Sequence, residues 1–124
     1  MSKRVLIIED DNFLQGLEAK KLSKEGYEVL AASNSEETFK VLDSKEKIDM
    51  ILLDLLLPEV DGFSILQRIR ENKELVTLPV IVFSNLSEEK DIDKAKKLGI
   101  SEFMVKSNFT LDELTEKVRS LIGK

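Results

Sequence analysis

Five polar residues of this chain stand at the ends of apolar runs, and their types suit one kind of chemistry. Glu9 and Asp10 follow Val5-Leu6-Ile7-Ile8, and Asp54 follows Met50-Ile51-Leu52-Leu53. Ser84 follows Val80-Ile81-Val82-Phe83, and Lys106 follows Phe103-Met104-Val105. Crowded carboxylates repel one another unless a cation joins them. Mg²⁺ takes oxygen ligands in octahedral geometry and often shares its site with phosphate. Asp10 and Asp54 are candidate direct ligands, and Glu9 binds directly or through a water. A carboxylate beside such a metal is also a nucleophile toward phosphorus. Ser84 would then donate a hydrogen bond to a phosphoryl oxygen, and Lys106 would pair with it as a point charge. Taken singly, each group has an ordinary reading as a cap or a solvated strand end. Their joint placement favours a site.

The elements that must position these groups are legible from end to end. Strand patterns are expected at about Arg4 to Glu9, Tyr27 to Ala31, Asp49 to Leu53, from Pro79 to Ser84, and Glu102 to Val105. Helices are expected at Asn12 to Glu25, Ser35 to Leu42, Phe63 to Asn72, Ser87 to Leu98 and Leu111 to Ile122. Phe13, Leu14, Leu17 and Leu22 are the apolar members of the first helix, with Asp11 as its cap and Gly26 as its stop. Phe39 and Leu42 face inward on the second, and Ile65, Leu66 and Ile69 on the third. The fourth carries only a thin stripe of Ile92, Ala95 and Leu98. Thr110 and Glu113 form a capping box before the fifth, with Phe109 and Leu114 spaced as a hydrophobic staple. Leu111, Leu114, Val118 and Leu121 make its inward face. Leu55-Leu56-Leu57 reads either as a continuation into the core or as an apolar rim. Pro58 and Asp61-Gly62 mark a loop.

Strict alternation of strand and helix predicts an α/β fold: (βα)5, flavodoxin-like and doubly wound, with parallel strand order 2-1-3-4-5. Ligands in such sheets collect at the carboxyl ends of the strands. The switch point falls between the first and third strands, beside Glu9, Asp10 and Asp54.

Composition narrows the function. The chain has 124 residues, 42% hydrophobic and 35% charged, with a net charge of −5. Those values suit one globular domain and speak against a nucleic-acid-binding surface. Histidine is absent, which removes zinc-hydrolase and Ser-His-Asp chemistry. The absence of cysteine, of a signal-peptide pattern and of a membrane-length apolar run fits a cytoplasmic setting.

These residues resemble the receiver domain of bacterial two-component response regulators, over essentially the whole chain. The pattern is an acidic pair (Glu9-Asp10), Asp-x-x-x-Pro (Asp54 to Pro58), Asp61-Gly62, a Ser or Thr (Ser84) and a Lys (Lys106). The resemblance implies one receiver domain over residues 1–124, in which Asp54 accepts a phosphoryl group. The donor would be the phosphohistidine of a histidine kinase or a histidine phosphotransfer protein. Mg²⁺, or Mn²⁺, would be held by Glu9, Asp10, Asp54 and the backbone carbonyl of Leu56. Ser84 and Phe103 would switch the face formed by the fourth helix, fifth strand and fifth helix toward an output protein. The molecule would be a monomer or a phosphorylation-dependent homodimer, contacting neither nucleic acid nor membrane. It would be a switch rather than an enzyme, though one that assists its own phosphorylation and dephosphorylation.

Two departures from the family pattern stand out. Lys106 is followed by Ser107 and Asn108 rather than by proline, so a trans bond and a longer loop are expected. Leu56 and Leu86 replace the polar groups that orient water in many relatives. Two other readings are weaker. A phosphatase of the haloacid-dehalogenase type needs an acid two residues after its nucleophile, where Leu56 stands. A flavin module needs a Ser/Thr-rich phosphate loop that this sequence lacks.

Overall fold

A computed structural model describes residues 2–57 and 61–124. Pro58 therefore lies outside the described residues. The elements run β1 (Arg4–Ile8), α1 (Asn12–Lys24), β2 (Glu28–Ala32), α2 (Ser35–Asp43), β3 (Met50–Leu53) and α3 (Gly62–Glu71). They continue with β4 (Val80–Ser84), α4 (Glu89–Lys97), β5 (Glu102–Val105), a 3₁₀ turn at Lys106–Asn108, and α5 (Leu111–Ile122). All strands are parallel and ordered 2-1-3-4-5, as the alternation of elements predicts.

The central strands are buried on both faces, which is why they read as unbroken apolar runs rather than alternating ones. Alternate residues feed two cores. Leu6, Ile8, Ile51, Leu53, Val80 and Val82 pack with Phe39 of α2, Ile65, Leu66 and Ile69 of α3 and Ala95 of α4. Val5, Ile7, Met50, Leu52, Ile81 and Phe83 pack on the other face with Leu22 of α1 and Leu114 and Val118 of α5. Each such side chain contributes about 1.5–3 kcal/mol on full burial.

Helix ends follow the local chemistry. Asp11 accepts the N–H groups of Phe13 and Leu14 at the start of α1. Asp61 accepts that of Phe63, and the Thr110–Glu113 box closes in both directions. The start of α4 lacks a side-chain cap, and the helix begins at Glu89, two residues after the expected Ser87. Gly26 and Gly99 take the positive φ angles that helix stops require.

The inner face of α1 differs from what a count of its apolar residues suggests, and two expectations at α5 are corrected. In α1, Phe13 is 77% and Leu17 41% exposed, while Glu18 is buried beside Leu22. The inward stripe runs at spacing four through Leu14, Glu18 and Leu22, so Phe13 and Leu17 fall on its flank. In α5, Leu121 is exposed, and Thr115 and Ile122 share the inner face instead. Phe109 also stays 39% exposed while Leu114 is buried. Between β3 and α3 the three leucines divide. Leu55 is buried, Leu57 packs half-buried on the core, and Leu56 is half exposed at the rim.

Gly62 sets how closely the loop returns to β3. Leu56 and Asp61 form a β-bridge, and the Gly62 N–H bonds to the Leu55 carbonyl at 3.1 Å. A Cβ at position 62 would stand 2.4 Å from the Leu55 Cα. Backbone must then move, so Gly62→Ala is expected to lower stability in urea by about 1–3 kcal/mol, the usual range for overpacking. A variant as stable as wild type would show that this approach yields freely.

Candidate functional site

The parallel register brings the strand ends together. Ile8 pairs with Leu53, and the Asp54 N–H bonds to the Ile8 carbonyl at 3.0 Å. Glu9 and Asp54 are therefore neighbours at the carboxyl edge. Period-two alternation turns Glu9 inward, 2% exposed, and leaves Asp10 exposed. Gln15 of α1 ties the ends of β1 and β2 together, donating to the carbonyls of Glu9 at 2.8 Å and Ala32 at 3.2 Å.

Asp54 is 5% exposed and fully engaged. Its Oδ1 accepts the Ser84 hydroxyl at 2.7 Å and the Leu56 N–H at 2.9 Å. Its Oδ2 accepts the Lys106 ammonium at 2.6 Å. The same Nζ lies 2.5 Å from Glu9 Oε1, whose partner oxygen accepts the Asp11 N–H at 3.1 Å. One ammonium thus joins the ends of β1, β3 and β5. The five residues singled out in the sequence come together, as expected of neighbouring parallel strands. The Lys106–Ser107 bond is trans, since no cis peptide occurs among the described residues. The 3₁₀ turn takes up the extra loop length.

Glu9, Asp10 and Asp54 each offer an oxygen within 4.8 Å of the others. Three hard oxygen donors on a strongly anionic edge fit a divalent cation such as Mg²⁺. The electrostatics agree. Burial raises the Glu9 pKa against the hydrogen bonds from Lys106 and Asp11, and the nearby Asp54 charge adds to the rise. Burial alone would lower the Lys106 pKa, but its bonds to Asp54 and Glu9 outweigh this and the net shift is upward.

Two residues at the site's margin were not legible beforehand. Gln15 carries no motif of its own. Glu18, 2% exposed, lies beneath the acidic edge in the field of Glu9, Lys106, Asp54 and Asp11. Its Oε1 is buried without a hydrogen-bond partner. Burial and the neighbouring Glu9 charge push its pKa up to about 8. Helical spacing from Leu22 would have placed it inside; the presence of two apolar flanking residues hid it. Phe103 is half-buried, opposite Val82, and packs against the α3–α4 side of the core, as do Leu86 and Leu98.

Comparison with known proteins gives a consistent picture. The response regulator receiver domain family model matches residues 5–119. The transcriptional regulatory protein KdpE of Staphylococcus aureus is 37% identical over 120 residues, covering 96% of this chain and 49% of that protein. The alkaline phosphatase synthesis transcriptional regulatory protein PhoP of Bacillus subtilis is 30% identical over 124 residues, covering 100% and 50%. The chain thus spans about half the length of these curated relatives. A response regulator from Thermotoga maritima superimposes with a TM-score of 0.85 at 28% identity, over 100% of both chains.

Glu18 makes stability depend on pH. Its ordinary pKa is 4.5, and the folded value is about 8. Between these values the folded chain holds a proton that the unfolded chain has released. The associated stability is full below the ordinary pKa and is lost as pH rises through the folded one. Urea titrations from about pH 5 to about pH 9 should show wild type losing a few kcal/mol more than Glu18→Gln over that range. Parallel curves would show that Glu18 is not a buried acid.

Proposed function

We propose, from the premise that this chain belongs to the response regulator receiver domain family, that residues 1–124 form one phosphoacceptor domain acting through Asp54. The chain is a receiver domain of two-component signalling. The observation that carries the finer reading is the buried Asp54 carboxylate, hydrogen-bonded to Ser84 and Lys106 beside the acid cluster. No other carboxylate among the described residues combines those three neighbours.

In this reading a histidine kinase or histidine phosphotransfer protein presents its phosphohistidine to Asp54. The phosphorus–nitrogen bond breaks as an Asp54 oxygen bonds to phosphorus, and the departing imidazole takes a proton from water. Ser84 turns its hydroxyl from Asp54 Oδ1 to a phosphoryl oxygen, and Lys106 pairs with another. Glu9, Asp10, Asp54 and the Leu56 carbonyl would hold Mg²⁺, for which Mn²⁺ is a substitute with the same oxygen preference. The bound ion would neutralise charge on the transferring group. The chain would act as a switch that assists its own phosphorylation and dephosphorylation.

Output would pass through α4, β5 and α5. Ser84 ends β4 opposite Val105, and Phe103 lies two residues earlier on β5, opposite Val82; an inward shift of the hydroxyl would open room for the ring. Phe103 lacks a hydroxyl, and its response is steric. Ala95 is the one buried residue of α4, so this helix can shift at low energy. The partner is a protein rather than nucleic acid, given the net charge of −5. We place the chain in the cytoplasm, as a monomer or a homodimer formed on phosphorylation. Among the described residues, no helix is long and apolar enough to cross a membrane.

Two measurements test this reading. With Mg²⁺ and acetyl phosphate, intact mass should rise by one phosphoryl group, and Asp54→Asn should abolish the gain. Modification of the variant at wild-type level would remove Asp54 from the role. The phosphorylated form should also be long-lived. Hydrolysis needs a water held in line with the breaking bond. Leu56 at the rim and Leu86 beside Ser84 offer it no side-chain hydrogen bond. Loss of phosphate should be faster in Leu56→Asn by a factor on the order of 10, equal to about 1.4 kcal/mol of barrier. Equal or slower loss would show that Leu56 does not limit hydrolysis.

A further inference from the structure

Lys106 serves two carboxylates that a divalent cation would also use. Its Nζ is bonded to Glu9 Oε1 and Asp54 Oδ2, both members of the acid cluster. A cation of charge two bound there repels the ammonium and takes over much of the carboxylate charge that holds it. Lys106 is mostly buried and cannot simply turn to solvent without uncovering its stem. A displaced ammonium needs another oxygen acceptor close by.

Glu18 supplies one. It reaches in from α1, the helix that packs against β1 and α5. Its side chain is buried, its Oε1 has no partner, and Lys106 is among the charges that act on it. The other ionised groups acting on it are Glu9 of β1, Asp54 at the end of β3 and Asp11 at the start of α1. All three are carboxylates, and their charges add to the effect of burial in raising the Glu18 pKa. Lys106 is the one cation among them. A buried acceptor left unbonded costs about 1–3 kcal/mol, so apolar packing alone gives no reason for a glutamate here.

We propose that Glu18 is a positioning residue that accepts the Lys106 ammonium when a divalent cation binds Glu9, Asp10 and Asp54. The inference rests on the metal reading of the acid cluster. Lys106 then moves from the Glu9–Asp54 bridge to Glu18 Oε1, leaving Glu9 free for the metal and standing ready for a phosphoryl oxygen on Asp54. The coupling runs through Lys106, so it disappears when that side chain is removed.

The test is a double-mutant cycle on the whole chain, read as Mg²⁺ affinity in the absence of any phosphodonor. The variants are Glu18→Leu, Lys106→Met and the pair, with Glu18→Gln as a near-isosteric control whose amide oxygen still accepts. Glu18→Leu is expected to weaken Mg²⁺ binding about fivefold to tenfold with Lys106 present and less than about twofold in Lys106→Met. Glu18→Gln should retain most of the wild-type affinity. The Lys106 Nζ resonance in wild type should stay protected from solvent exchange on adding MgCl2, and should broaden away in Glu18→Leu. Equal losses in both backgrounds would mean that Glu18 acts on the metal through its own field, and would overturn the proposal. An affinity unchanged by Glu18→Leu would overturn it as well. Wild type that never saturates with Mg²⁺ would remove the metal reading, and this inference with it.

Discussion

The contact on which the site depends is the bridge from Lys106 to Glu9 and Asp54. It joins the carboxyl ends of three strands that are not consecutive in the chain. Without a shared cation, two inward carboxylates on neighbouring strands would repel at a place where water is largely excluded. Removing one partner of such a buried set leaves an uncompensated charge, which commonly costs about 3–5 kcal/mol. The sheet order supplies the geometry. With β1 placed between β2 and β3, the acids after β1 and β3 meet. Lys106 reaches them from β5, two strands from β3.

Most of the fold was legible in the sequence for specific reasons. The strands are doubly buried, so their apolar runs are unbroken and their polar ends unmistakable. The Thr110–Glu113 box announced α5, and the Asp11 cap announced α1. What was missed concerns helix phase. The apolar residues of α1 do not by themselves say which face is inward, because the rotation of a helix is set by what it packs on. Leu22, Ala19 and Glu18 face the sheet, and two large apolar side chains are left outside. The late start of α4 has a similar origin. Glu88 makes no side-chain cap bond, so nothing in the residues fixes the first turn.

The site was legible in its members but not in its wiring. Glu9 and Asp10 are adjacent acids in the sequence, and both are candidate metal ligands. The pleat separates them: Glu9 bonds Lys106 while Asp10 meets solvent. Leu56 could be placed beside Asp54, but its N–H contact to Oδ1 could not. Leu55, Leu56 and Leu57 posed a choice between core and rim that the chain resolves residue by residue. Alternation divides them, and the Leu56–Asp61 bridge holds that division.

The balance of charge explains why one more acid is tolerated beneath this edge. Glu9, Asp10, Asp54 and Lys106 sum to three negative charges and one positive, a formal −2. That is the charge of one divalent cation with opposite sign. An ionised Glu18 would raise the imbalance to −3, in a pocket where burial already disfavours the anion. Kept protonated, it adds no charge but still presents an oxygen. A leucine there would pack better, and an ionised acid would hold Lys106 away from Asp54. A neutral carboxyl adds no charge and leaves the ammonium on its two carboxylates, with its own Oε1 unbonded.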